Sequence, residues 1–144
     1  MRRKIFITGG GGMLASQLEH FYRENQNEVF APRHAELDIL DDGTLRQALH
    51  SFNPDWIFHT AALHVDACEE NPELAFRLNA QASANLAQMC SERNATLIYI
   101  SSCGYFGDEI KYYAESDPVV LKTTYARSKF EGEGTKRILF TSVI

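Results

Sequence analysis

A chain of 144 residues with 44% hydrophobic and 23% charged side chains is one domain's worth of ordinary globular composition, able to bury about two thirds of its unfolded surface around one core. A net charge of −5, with no basic block longer than Arg2-Arg3-Lys4, argues against nucleic-acid or membrane-surface partners, which need clustered cations. Cys68, Cys90 and Cys103 are odd in number and form no C-x-x-C pair, and no apolar run is long enough for a signal peptide or a span, so a cytoplasmic protein without structural disulfide or zinc is expected.

Ile5 to Ile7 have the β-branched and aromatic character of a short buried strand that stops at Thr8. Four glycines follow, and then Met13, Leu14, Leu18, Phe21 and Tyr22 recur at helical spacing. Strand, glycine turn and helix in that order form the context of a dinucleotide-binding loop. Glycines let the turn close sharply and let a pyrophosphate approach the backbone, while the unpaired amides of the next helix favour an anion. The spacing Thr8-Gly9-x-x-Gly12-x-x-Ala15 puts small residues in the turn, under the phosphates and where helix meets strand.

The first helix is expected to fade near Asn25 to Asn27, and Val29-Phe30-Ala31 reads as a second strand closed by Pro32. Arg33 stands where an acidic residue would hold the ribose of NAD; a basic one favours the extra phosphate of NADP. Glu36 to Ile39 reads as a third short strand or extended segment. Asp41 or Asp42 then offers an N-cap for a helix with Leu45, Ala48, Leu49 and Phe52 on one face, ending at Pro54. Asp55 to Thr60 is the fourth strand, and the small residues Ala61 and Ala62 after it leave room for a cofactor.

One long helix is expected from Pro72 to about Glu92, with Asn79 beside its apolar face. His59 and His64 read as core or supporting polar groups, Asp66, Glu69 and Glu70 as a solvated helix entry, and Cys103 as a small buried thiol. Thr96 to Ile100 is the fifth strand, ending in Ser101-Ser102, followed by a loop with Gly104 and Gly107. Thr123 or Thr124 can cap a helix from Tyr125, and Arg137 to Val143 reads as a sixth strand. Alternating strands and helices imply right-handed crossovers, a doubly wound parallel α/β sheet, and ligands at the carboxyl ends of the strands.

Tyr125 and Lys129 are four apart and so share a helical face. A free tyrosine, with a pKa near ~10, exchanges a proton poorly at neutral pH, and an adjacent ammonium favours its phenolate. Ser102, at the end of the fifth strand, can hold a substrate carbonyl or alcohol. Such a set can donate a proton to oxygen as a nicotinamide delivers hydride to carbon.

These residues resemble the extended short-chain dehydrogenase/reductases, and within them the dTDP-4-dehydrorhamnose reductase group of sugar-nucleotide enzymes. Thr8 to Ala15, with Gly9, Gly12, Met13 and Leu14, matches the cofactor loop of that family. Asp38-Ile39 matches its adenine position, Pro54-Asp55 with Ala61-Ala62 its fourth strand, and Val65 to Glu69 with Pro72, Ala75 and Asn79 its next helical segment. The resemblance implies Ser102, Tyr125 and Lys129 as the catalytic set, Asn79 in support, Lys129 also on the nicotinamide ribose, NADP or NAD as cofactor, and a sugar nucleotide as substrate. It is compatible with a homodimer. Where the rhamnose-type enzymes usually carry Ser-Thr-Asp-Tyr-Val-Phe, this chain has Ser101-Ser102-Cys103-Gly104-Tyr105-Phe106. Family members also continue into a C-terminal portion that builds the sugar pocket, so residues 1–144 are expected to be the NAD(P)-binding Rossmann part of a longer protein. Two alternatives stay open: a non-catalytic binding subunit, like the methionine adenosyltransferase regulatory subunit that shares the resemblance, and an epimerase or dehydratase.

Overall fold

The structure is a computed structural model that describes residues 2–106, 111–114, 116–134 and 141–142. Among the described residues, five parallel strands, β1 (Lys4–Thr8), β2 (Glu28–Phe30), β3 (Trp56–His59), β4 (Thr96–Ile100) and β5 (Thr141–Ser142), lie in the order β2-β1-β3-β4-β5. Side chains alternate between the two faces of each strand. Phe6, Ile57 and Leu97 pack on one face against Leu45 and Leu49 of α2 (Asp42–Phe52) and Leu86, Met89 and Cys90 of α5 (Ala82–Arg93). Ile5, Ile7, Val29 and Phe58 pack on the other against Ala15, Leu18 and Tyr22 of α1 (Met13–Glu24). Ile5, Ile7, Phe6, Leu45, Leu49 and Ile57 are wholly buried, each stabilising by roughly 1.5–3 kcal/mol. That two-sided burial is why the strands read as near-continuous apolar runs.

The chain first builds leftward from β1 to β2, then crosses back to lay β3 on the other side of β1. The reversal leaves a crevice at the carboxyl ends of β1 and β3, where such sheets bind their ligands. Doubly wound topology is therefore borne out, with local corrections. Glu36 to Ile39 is no strand: the Glu36 and Leu37 amides donate to the Arg33 carbonyl and the Leu40 amide to Asp38 Oδ1. The segment satisfies its backbone in turns and needs no ladder. Met13 and Phe21 are 89% and 57% exposed, so the apolar face of α1 reaches the core only through Ala15, Leu18 and Tyr22.

The expected single helix from Pro72 is three pieces. Helix α4 (Pro72–Phe76), capped by Asn71 through the Leu74 amide, widens into a π-helical turn over Arg77–Gln81 before α5 continues. A separate helix, α3 (Val65–Glu70), precedes it, and α6 (Thr124–Glu133) packs on α3, α4 and the π turn. Of the expected strand over Arg137 to Val143, Thr141–Ser142 is seen as β5; the rest, like Gly107, lies outside the described residues. Among the described residues no helix is long and apolar enough to cross a membrane, and no cluster of three or more His, Cys, Asp or Glu side chains is placed to hold a metal ion.

Candidate active site

At the crevice, β1 gives way to the glycine turn. Gly9 has φ +73, and a Cβ there would lie 2.9 Å from the Ala61 Cα, so this turn and the segment after β3 approach as closely as only glycine permits. Gly12 is the N-cap of α1; no side chain caps that helix and no acidic residue stands in its first turn. Its amides are left for an anion, which the helix dipole favours.

A cleft of about 560 Å³ opens here, lined by Gly9, Gly12, Asp38, Ile39, Ala61 and Ala62, with Leu37, Leu74 and Leu78 as an apolar wall. The remaining expected contacts stand around it. Arg33 is exposed and lies along the loop, its Nε 3.4 Å from where a Gly11 Cβ would stand. Met13 and Leu14 open α1 outside the cleft lining, while Ala15 is buried in the core beneath the loop, where a small residue lets helix meet strand.

The second group of residues gathers at the carboxyl end of β4. Thr123 caps α6 by accepting from the Ala126 amide, and Tyr125 stands half-buried in its first turn. One turn on, Lys129 is 3% exposed; its Nζ donates to the Ile100 carbonyl at 2.6 Å and lies 4.0 Å from the centre of the Tyr99 ring. Burial lowers the Lys129 pKa to about 8, opposed by the Glu133 charge. Ser102, half-buried two residues past β4, accepts from the Gly104 amide. Asn79 sits in the π turn with its side chain fully engaged, accepting from the Leu63 amide at 2.8 Å and donating to Ser128 Oγ at 3.0 Å. π turns recur at functional sites, and this one brings Asn79 to α6. Gly132 makes the approach: a Cβ there would stand 2.2 Å from the Asn79 carbonyl oxygen. The glycine that weakens α6 as a helix is what docks it.

Several supporting residues escape a reading of the chain alone. Glu69 is exposed, as expected of a helix entry, but it also accepts from the Thr124 amide at 2.6 Å and from Thr124 Oγ1 at 2.9 Å, which ties α3 to the start of α6 and holds its pKa below the usual range. Glu133 accepts from Ser101 Oγ and from the Tyr105 hydroxyl, and the same hydroxyl accepts from the Ser102 amide. Only Glu133 left a signal, standing four residues beyond Lys129 on its face. His59 is buried and hydrogen-bonded as expected, whereas His64 is the exposed N-cap of α3. Cys103 is exposed too, because the turn after Ser102 carries it out of the sheet.

An anion-ready helix terminus beside a topological switch point, with apolar and small-residue walls, defines a Rossmann-type dinucleotide-binding domain. Within that class, the chain belongs to the RmlD substrate binding domain family, whose model matches residues 3–140. It is 32% identical to the probable low-salt glycan biosynthesis reductase Agl14 of Haloferax volcanii, over 92% of this chain and 48% of that protein. It is 35% identical to methionine adenosyltransferase 2 subunit beta of Xenopus laevis, over 91% and 42%. The crystal structure of dTDP-4-dehydrorhamnose reductase from Bacillus anthracis in complex with NADP superposes with a TM-score of 0.87 at 28% identity, covering 99% of this chain and 52% of that one. The chain thus spans about half the length of the relatives it matches.

Proposed function

We propose that this chain is the cofactor-binding part of an NAD(P)-dependent oxidoreductase acting on a nucleotide-linked sugar, as dTDP-4-dehydrorhamnose reductase does, with NADP favoured over NAD. One observation carries the reading. The bare N-terminus of α1, the cleft, and the Lys129 ammonium on Ile100 all lie at the carboxyl edge of the same parallel sheet. The amides after Gly9 and Gly12 would hold the pyrophosphate, Asp38 and Ile39 the adenine, Arg33 the ribose phosphate, and Lys129 the nicotinamide ribose. Ala61 and Ala62 form the floor. Bound there, the nicotinamide supplies hydride chemistry. Tyr125 would give the matching proton to the substrate carbonyl oxygen, Ser102 would hold that oxygen, and Asn79 would support them through Ser128.

The first test is titration of the chain with NADPH, followed by fluorescence; micromolar binding is expected, and absence of binding rejects the reading. In a form that turns over nucleotide-linked keto sugars, Tyr125→Phe should abolish turnover and leave NADPH affinity nearly intact. The similarity to methionine adenosyltransferase 2 subunit beta favours a second reading, a nucleotide-binding regulatory subunit of the same fold. NADPH binding without oxidation across a panel of sugar nucleotides would select it.

A further inference from the structure

Between the cofactor cleft and the Asn79 turn runs a line of buried polar groups that the reaction proposed above does not use. The Ala61 amide donates to Thr8 Oγ1 at 3.2 Å, Thr8 Oγ1 meets His59 Nδ1 at 2.8 Å, and His59 Nε2 meets Ser83 Oγ at 2.9 Å. Ser83 Oγ in turn donates to the Asn79 carbonyl at 2.8 Å. Thr8, His59, Ser83 and Asn79 are each no more than 1% exposed.

The proton positions follow from counting donors. With its one hydroxyl proton given to the Asn79 carbonyl, which the Tyr99 hydroxyl also approaches at 3.4 Å, Ser83 accepts from His59, and Nε2 carries the ring proton. Nδ1 is then bare and accepts the Thr8 hydroxyl proton. That leaves the Thr8 lone pairs facing the Ala61 amide. Every group gives one proton in the same direction, from Ala61 to Asn79. A protonated imidazole would donate at both nitrogens and leave the Thr8 proton with no acceptor. Lys129 and the Tyr99 ring, 5.7 Å away, are the neighbours that face His59, and burial together with the Lys129 charge lowers its pKa to about 3.

We infer that His59, as the neutral Nε2–H tautomer, is a positioning residue that fixes both the floor of the cofactor cleft at Ala61 and the turn that carries Asn79. This rests on the cofactor reading of the cleft. A buried histidine that merely filled space would not need one tautomer, nor both of its neighbours.

The experiment has two arms. A long-range proton–nitrogen NMR spectrum of the wild-type chain should show His59 neutral, protonated at Nε2, and unchanged between about pH 8 and pH 5; an Nδ1–H tautomer or a titration in that range overturns the inference. In the second arm, NADPH affinity is measured for His59→Gln, whose amide can accept from Thr8 and donate to Ser83, and for His59→Leu, which keeps bulk alone. The glutamine variant should bind within about threefold of wild type and the leucine variant at least about tenfold more weakly; equal losses overturn the inference. Failure of the wild type to bind NADPH would sink the cofactor reading instead, and the NMR arm would still decide the tautomer. The same arm decides it if His59→Leu does not fold.

Discussion

The Lys129 ammonium donates to the Ile100 carbonyl, the last of β4, across 2.6 Å, so a charge buried at the sheet's edge is held by the strand end whose extension carries Ser102. Burial has moved its pKa from 10.5 to about 8. Between those values the unfolded chain holds more protons than the folded one, so this group makes stability rise with pH there. Denaturant titrations should show wild type gaining up to about 3 kcal/mol relative to Lys129→Met from pH 8 to pH 10.5. The methionine variant should also bind NADPH at least about tenfold more weakly. A constant difference between the two proteins across that window would refute the assignment.

Glu69 caps α6 from another helix, 55 residues away from Thr124. Its lowered pKa means that the contact stabilises fully above the ordinary glutamate range and is lost as pH falls through the folded value. Glu69→Gln keeps an acceptor but removes the charge that complements the helix N-terminus. Its Tm at neutral pH should fall by about 2–4 °C, and the gap from wild type should close on acidification. A gap that stays fixed down to pH 3 would mean that the charge is immaterial.

How far the sequence discloses this molecule depends on how local each feature is. The glycine turn, the Thr123 cap and the Tyr125–Lys129 spacing are contained in stretches of a few residues, and all stand where the pattern puts them. Asp38 and Ile39 do line the cleft, although in turns rather than in a strand, because Asp38 satisfies the Leu40 amide locally. The π turn leaves no mark, since apolar residues at Ala75, Leu78, Ala82 and Leu86 fit an unbroken helix as well as an interrupted one. The contacts of Glu69 with Thr124, and of His59 with Thr8 and Ser83, join residues 24 to 55 positions apart. Those partners exist only once the sheet has stacked its strands.

Gly132 separates local from tertiary reasoning by sign. In an isolated helix Gly132→Ala would stabilise by up to ~1 kcal/mol. In this fold the added methyl would stand 2.2 Å from the Asn79 carbonyl oxygen and 2.7 Å from the Tyr99 hydroxyl, forcing α6 away from the π turn. Urea unfolding should find the variant less stable by about 1–3 kcal/mol. An increase in stability would show that the two elements do not pack this closely.

Arg33 tests which cofactor the cleft prefers. It follows β2 at the edge of the loop, and its Cγ, Cδ and Nε lie 3.4–3.6 Å from where a Gly11 Cβ would stand; its backbone amide is anchored by Glu36 Oε2 at 2.7 Å. A guanidinium there suits a ribose phosphate, whereas an acidic residue would take the ribose hydroxyls and repel that phosphate. Arg33→Asp should therefore weaken NADPH binding by about tenfold or more while leaving NADH affinity unchanged or improved. Parallel fluorescence titrations with the two nucleotides measure the ratio directly. Equal weakening of both would place Arg33 in the loop's support and not in the choice of cofactor.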